Sequence, residues 1–331
     1  MPRPGSDLPG GATASGVAEA SAPSLADRLA GFDEHWRALR PELARIEAWR
    51  WFFVIVGSLM VAAGVPILGW GIGEFVGVVR SGYPWIIYVA AGSLLSSLGQ
   101  WLARSPARRA GRLIRGKVIG CFGLGYRRDA SSFPVDGFER NDLLPRHTKR
   151  ELEDLVYGDV SGVPLIFCDA TLSVKGLRRT ERVEVFRGPL VLSRFPKRAR
   201  GRTLVVPDGG AIGNFFVGIA GQHRQRVKLE SPDFERAFAV WSTDQIEARY
   251  LLTPTMMERL LALKQRFPGD MTVAFDGHEF MLALDDGRDW FPDPGLLRSL
   301  THPARVREQA EEIARIAEIV EILKLNLDTR A

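Results

Sequence analysis

The run WFFVIVGSLMVAAGVPILGWGIG, Trp51 to Gly73, holds no charged side chain over its 23 residues. At about 1.5 Å per residue, a helix of that length reaches roughly 35 Å, enough to cross a hydrocarbon core of about 30 Å. A second run, YPWIIYVAAGSLLSSLGQWLA, spans the 21 residues from Tyr83 to Ala103, and Gln100 is its most polar member. The short turn between the runs makes them antiparallel. A buried hairpin in a soluble core is the competing reading, but soluble core helices seldom stay charge-free for this long.

Charge gives the pair a direction. The chain of 331 residues carries a formal net charge of +5 and a mean hydropathy of −0.03, an average of an apolar part and a polar part. Residues 1–103 sum to −1, residues 104–150 to +8 and residues 151–331 to −2. Arg37, Arg40, Arg45 and Arg50 precede the first run, six basic residues from Arg104 to Lys117 follow the second, and Arg80 alone lies between. Lys and Arg collect on the cytoplasmic side of short flanks, so both termini are expected there. Trp49, Trp51, Trp70, Tyr83, Trp85 and Trp101 form the aromatic belt of such spans. A basic block at a bilayer exit, unlike one spread over a folded face, does not point to nucleic acid. Cys121 and Cys168 have no paired spacing, so no disulfide framework is expected.

Five segments follow. Residues 1–24 read as a disordered tail of Gly, Ala, Ser and Pro. Residues 25–50 form a helical lead-in, which Pro41 either interrupts or restarts. Residues 51–103 are the transmembrane hairpin, with close packing between a patch at Gly57, Ser58, Ala62, Ala63 and Gly64 and another at Ala90–Ser93, Ser96 and Ser97. Residues 104–150 are a basic juxtamembrane linker. Ser105–Pro106 ends the second span there, and Arg108, Arg109, Arg112, Arg115 and Lys117 either lie on anionic headgroups along an interfacial helix or serve to set topology alone.

Residues 151–331 read as a cytoplasmic α+β domain with a mixed or antiparallel sheet. Strands are expected at Asp154–Val160, Val163–Val174, Arg182–Leu192, Thr203–Val206 and Arg226–Leu229. Gly209–Gly221 is neutral and apolar, suited to cover one mouth of the sheet or to rest on headgroups. Ser231–Pro232 and Thr253–Pro254 read as helix starts, and Ser242 with Gln245 has capping-box spacing. Asp276–Gly277 suits a hairpin turn between Met271–Phe275 and Glu279–Leu284. A long helix from Pro303 to Leu327 presents Val306, Ala310, Ile313, Ile316, Ala317, Val320, Leu323 and Leu327 to the sheet, with a coiled-coil partner as the alternative.

Several patches carry a resemblance. They are Glu153-Asp154-Leu155-Val156-Tyr157-Gly158, Val185-Phe186-Arg187-Gly188, Gly201 to Asp208, Leu229 to Glu235 and, above all, Trp241 to Pro254. Together they resemble the bacterial membrane-protein family known as domain of unknown function 3137, over about residues 35 to 327. The resemblance implies two spans ahead of a mixed domain in a multi-pass protein of the bacterial inner membrane. It implies no activity, cofactor or catalytic residue.

No catalytic constellation stands out otherwise. The five histidines are scattered without metal-ligand spacing, and neither a phosphate loop nor a Ser-centred elbow is present. No cofactor or metal is expected. Asp285, Asp286 and Asp289 read as solvated turn acids. The run from Thr243 to Tyr250 mixes acid, base and phenol. Capping by Ser242 and pairing of Gln245 and Glu247 with Arg249 are its plainer account; as a binding patch it offers Asp244, Glu247, Arg249 and Tyr250. The function expected is a membrane-anchored binding or scaffold module for a protein partner, an anionic lipid or a second copy of the chain. The alternative is an enzyme acting on a membrane-proximal substrate through the same Asp244–Tyr250 region.

Overall fold

The computed structural model describes residues 25–77, 84–160, 162–176, 181–208, 224–292, 299 and 302–323. The expected tail, most of the connecting turn and the stretch Gly209–Gly221 lie outside them. Two long helices come first, α1 (Leu25–Gly77) and α2 (Pro84–Cys121), of 53 and 38 residues. Both run past their expected ends. α1 contains Pro41 and Pro66, and α2 continues through Ser105 and Pro106. A proline inside a helix costs one backbone hydrogen bond and about 3 kcal/mol. Here the tertiary packing of each helix outweighs that cost.

The packing is a seam. On α1, Leu43, Glu47, Arg50, Val54, Gly57, Gly64 and Gly71 are buried, and Val61 and Leu68 are half-buried. Alternating steps of three and four residues give the 3.5-residue period of a coiled coil. α2 answers with Gly92, Ser96 and Gly99 in the opposite direction. A Cβ on Gly92 would lie 2.5 Å from the Leu68 nitrogen, and one on Gly99 would lie 2.6 Å from the Gly57 carbonyl oxygen. Only part of each expected small-residue patch is used: Ser58, Ala62, Ala63, Ala90, Ala91, Ser93 and Ser97 face outward.

The rest is built, among the described residues, on seven antiparallel strands: β1 (Gly125–Asp129), β2 (Lys149–Val160), β3 (Val163–Lys175), β4 (Arg182–Pro207), β5 (Gln225–Val227), β6 (Phe238–Ser242) and β7 (Asp270–Asp285). Their order is β1-β2-β3-β4-β6-β5, with β7 also paired to β4. β4 is the hub. Its first half pairs with β3, from Lys175 opposite Arg182 to Leu165 opposite Ser193, and its end pairs Thr203–Pro207 with β6. β7 follows β4 from Leu190 opposite Ala283 to Val205 opposite Val273. The two strands expected at Arg182–Leu192 and Thr203–Val206 are therefore one. Met271–Leu284 is likewise a single strand and not a hairpin, with Gly277 at φ +59° where it bends. β4 bulges there, advancing from Arg194 to Thr203 while β7 retreats only from Glu279 to Phe275.

Among the described residues five further helices follow: α3 (Val135–Arg140), α4 (Pro232–Ala237), α5 (Gln245–Leu251), α6 (Pro254–Arg266) and α7 (Pro303–Leu323). Ser231 and Thr253 cap α4 and α6 as expected, accepting from the Phe234 and Met256 N–H groups. One face of the sheet packs Phe167, Val191, Val205, Val240 and Phe275 into a core shared with α4–α7 and the inner ends of α1 and α2, through Leu43, Ile114, Val118 and Ile119. α7 lies against α6 and those inner helix ends, with Ala310, Ile313, Ile316, Val320 and Leu323 buried. The other face is covered by Ala130, Phe133, Phe138, Leu143 and Leu144. Residues expected as a linker thus supply a strand, a helix and one layer of the core. Apolar positions scattered among the arginines of that stretch are what the sheet needed to close its second face.

Candidate functional site

The expected binding residues meet the β4 bulge. Asp244, not Ser242, caps α5: its Oδ1 accepts from the Ile246 and Glu247 N–H groups at 2.9 and 3.1 Å. Ser242 is buried at the end of β6 and lies 3.0 Å from the Thr203 hydroxyl. Bonds from Thr243 and Glu247 strap α5 to the bulge. Thr243 Oγ1 accepts from the Arg202 N–H at 3.0 Å, and Glu247 Oε1 accepts from the Arg200 N–H at 3.3 Å. Gln245 donates to Gln225, so the expected pairing of Gln245 and Glu247 with Arg249 is replaced by bonds to other segments.

Between bulge and helix lies a groove of about 920 Å³, lined by Lys197, Arg198, Arg200, Ile246, Glu247, Tyr250 and Asp276. The Lys197 ammonium sits 4.4 Å from the centre of the Tyr250 ring, close enough for a cation–π contact. Ile246 is 81% exposed and Tyr250 56%. Of the four expected residues, Glu247 and Tyr250 share the groove, Asp244 is consumed in capping, and Arg249 is exposed on α5 outside the lining. The basic residues at 197, 198 and 200 were not among the expected site residues. Their signal was there: Arg194 to Arg202 holds five basic residues in nine positions.

A second charged site fastens α2 to the sheet. Arg115 was expected on lipid headgroups, yet it is 2% exposed. Its Nη1 donates to Asp154 at 2.7 Å and to Tyr126 at 3.2 Å, and its Nη2 donates to the Phe291 and Pro292 carbonyls at 2.8 and 3.1 Å. Asp154 sits at the bulge of β2 with φ +57°, a conformation that Asp tolerates, and also accepts from the Tyr126 hydroxyl. Burial opposes the charge on Arg115, but Asp154 and Tyr126 outweigh it and hold its pKa above the ordinary value. Burial pushes the Tyr126 phenol up as well, against the pull of Arg115. Lys117 is half-buried and pairs with Glu42 of α1 at 2.7 Å. Arg109 and Arg112 are exposed, whereas the Arg108 side chain lies outside the described residues.

Of the acids expected to be solvated, Asp289 is exposed while Asp285 and Asp286 are half-buried, and each of the three accepts a hydrogen bond. Asp285 accepts from the Arg187 N–H, Asp286 from the Trp290 indole, and Asp289 from the Phe291 N–H. Burial raises the pKa of both Asp285 and Asp286. Asp169 of β3 accepts from the Trp290 N–H at 3.0 Å while its other oxygen is buried without a partner. Burial, with Asp289 nearby, lifts its carboxyl to about 7.

The matched segment of known sequence begins at β4. Residues 184–325 match the family described as Protein of unknown function (DUF3137). The DUF3137 match contains every residue of the groove and both carbonyl partners of Arg115, but none of α1, α2 or β1–β3. The resemblance read over residues 35 to 327 is thus shown for its C-terminal half. No curated protein matches the chain. Among solved structures it is similar to the mycobacterial trehalose monomycolate transport factor A, TtfA, at 11% identity and a TM-score of 0.30. That alignment covers 65% of this chain and 97% of that one, and a likeness at this level carries no argument.

Proposed function

We propose that this protein is a membrane-anchored binding module, with α1 and α2 as a transmembrane hairpin and the sheet domain held on the cytoplasmic side. One observation supports it above the others. The seam between α1 and α2 is closed by glycine and serine, which leaves the large apolar side chains facing out. Phe52, Ile55, Leu59, Trp70, Ile87 and Leu94 are each 56–71% exposed. In water these six would forgo on the order of 5–10 kcal/mol of burial, comparable to the whole stability of a domain. Hydrocarbon removes that cost. Arg40–Ile72 is long and apolar enough to cross a membrane, and the apolar helix Ile86–Leu102 runs beside it.

In this reading α1 and α2 continue from the bilayer into the folded domain, so the anchor and the module are joined through the core. Arg109 and Arg112 face anionic headgroups, each contributing about 1 kcal/mol near the surface. The groove beside α5 is the binding face. An enzyme reading would have to rest on Glu247 and Tyr250, since Asp244 is spent on a cap.

Alkaline carbonate extraction of membranes from expressing cells tests the anchor: the chain should stay in the pellet. With Cys121→Ser and Cys168→Ala as background, Ser81→Cys should react with an impermeant maleimide from outside. Lys228→Cys should react only after the membrane is opened. Release by carbonate, or labelling of both positions from one side, would overturn the proposal.

A further inference from the structure

The groove carries unspent charge next to unspent apolar surface. Among the described residues, the side chains of Lys197, Arg198 and Arg200 make no hydrogen bond or ion pair, and the Lys197 ammonium lies over the Tyr250 ring. The acids of the lining are committed elsewhere: Glu247 holds the Arg200 N–H, and Asp276 accepts from Asn141 and lies 4.0 Å from Arg202. Ile246, at 81%, is more exposed than any other large apolar side chain described, including those of α1 and α2. Placing such a residue among cations has a cost in water that a partner would remove.

We propose that this groove binds an acidic segment of a partner protein, with carboxylates on Lys197, Arg198 and Arg200 and an apolar side chain laid over Ile246 and Tyr250. The inference rests on the reading of the chain as a binding module and names the partner of that same site. Concavity decides between a protein and a bilayer. A groove of about 920 Å³ accepts side chains that project from a peptide, whereas a flat headgroup layer would leave it unfilled. Charge supplies encounter and register, and the apolar contact supplies selectivity over other polyanions.

Full-length protein in neutral phosphatidylcholine nanodiscs can be titrated, by fluorescence anisotropy, into a fluorescein-labelled peptide alternating Glu with Leu. A Glu–Gly peptide and a single-stranded oligonucleotide control for charge alone. The Glu–Leu peptide should bind more tightly than either. The combined Lys197→Glu, Arg198→Glu and Arg200→Glu variant should weaken it by more than about tenfold, the three alanine replacements by less, and Ile246→Ser by about threefold to tenfold. Absent binding, equal binding of the two peptides, or indifference to these changes would overturn the proposal. So would flotation with phosphatidylserine vesicles that depends on the three cations while the peptide fails to bind. A photo-crosslinker at Ile246 and another at exposed Val183, both in native membranes, separate this failure from the wider one. Protein adducts at Val183 alone discard the groove and keep the module; none at either position, with no peptide binding, discards both.

Discussion

Arg115 and Arg200 come from equally basic stretches of the chain, yet they end in opposite states. Arg115 is buried with four partners on three segments, and its charge is answered by Asp154 2.7 Å away. Arg200 is exposed, and its side chain has no partner among the described residues. The difference lies in what each backbone is doing. Arg115 lies on the part of α2 that packs into the core, where an unmatched guanidinium is prohibitive, so the fold supplies a carboxylate and two carbonyls. Arg200 rides a bulge that leaves the sheet, where water solvates it at little cost. A matched buried cation holds structure together; an unmatched exposed one is available to something else.

The largest test removes the match. Asp154→Asn keeps a residue that tolerates φ +57° but strips the counter-charge from Arg115. The folded state should lose about 3–5 kcal/mol, read as a fall in Tm by circular dichroism of the detergent-solubilised chain. Adding Arg115→Met should restore much of that loss, because no buried charge is then stranded. If the single variant melts like the wild type, Arg115 is not held as described.

Asp169 sharpens the comparison, because it is buried without a cation. Its folded carboxyl titrates near 7, against about 3.9 in an unfolded chain. Across that window the folded state holds a proton that the unfolded state does not. Its contribution therefore falls as pH rises from about 4 to 7, at a slope approaching 1.4 kcal/mol per unit (about one proton), and is level above. Asp169→Asn keeps an acceptor for the Trp290 N–H and should remove this component, so the variant should outlast the wild type at pH 8 and not at pH 4. Parallel Tm–pH curves for the two would break the contrast.

The helix seam offers a smaller contrast of the same kind. A Cβ on Gly92 meets the Leu68 backbone at 2.5 Å, whereas one on Gly69 meets nothing within 4 Å. Gly92→Ala should cost about 1–3 kcal/mol by forcing the helices apart, and Gly69→Ala should be neutral or slightly stabilising. Detergent Tm values reversing that order would contradict the packing.

How much of this could be read beforehand follows from how local each feature is. The two apolar runs, the caps at Ser231 and Thr253 and most strand positions depend on neighbours in sequence, and they emerge where expected. The seam does not stand out as apolar periodicity, because Glu47, Arg50, Gly57 and Gly64 share it and the residues around them are apolar on every side. Glycine at 57, 64 and 71, one every seven residues, was the visible trace. Arg115 was hidden by company: it stands in a basic block just after an apolar run, and its carboxylate partner stands 39 positions away. The groove needs three segments, around 197–200, 246–250 and 276, and the β4 bulge that joins them looked like a gap between two strands.

The smallest expected effect closes the contrast with Arg115. Lys197→Ala removes the contact with the Tyr250 ring and no hydrogen bond or ion pair among the described residues, so it should cost no more than about 0.5–1 kcal/mol. Arg198→Ala and Arg200→Ala should stay within about 0.5 kcal/mol of the wild type, as solvated side chains do. A chain that gives up three cations without losing stability has not been using them to fold. If the three replacements together lowered the Tm as Asp154→Asn does, the bulge would be a structural clamp and the groove's charge already spent.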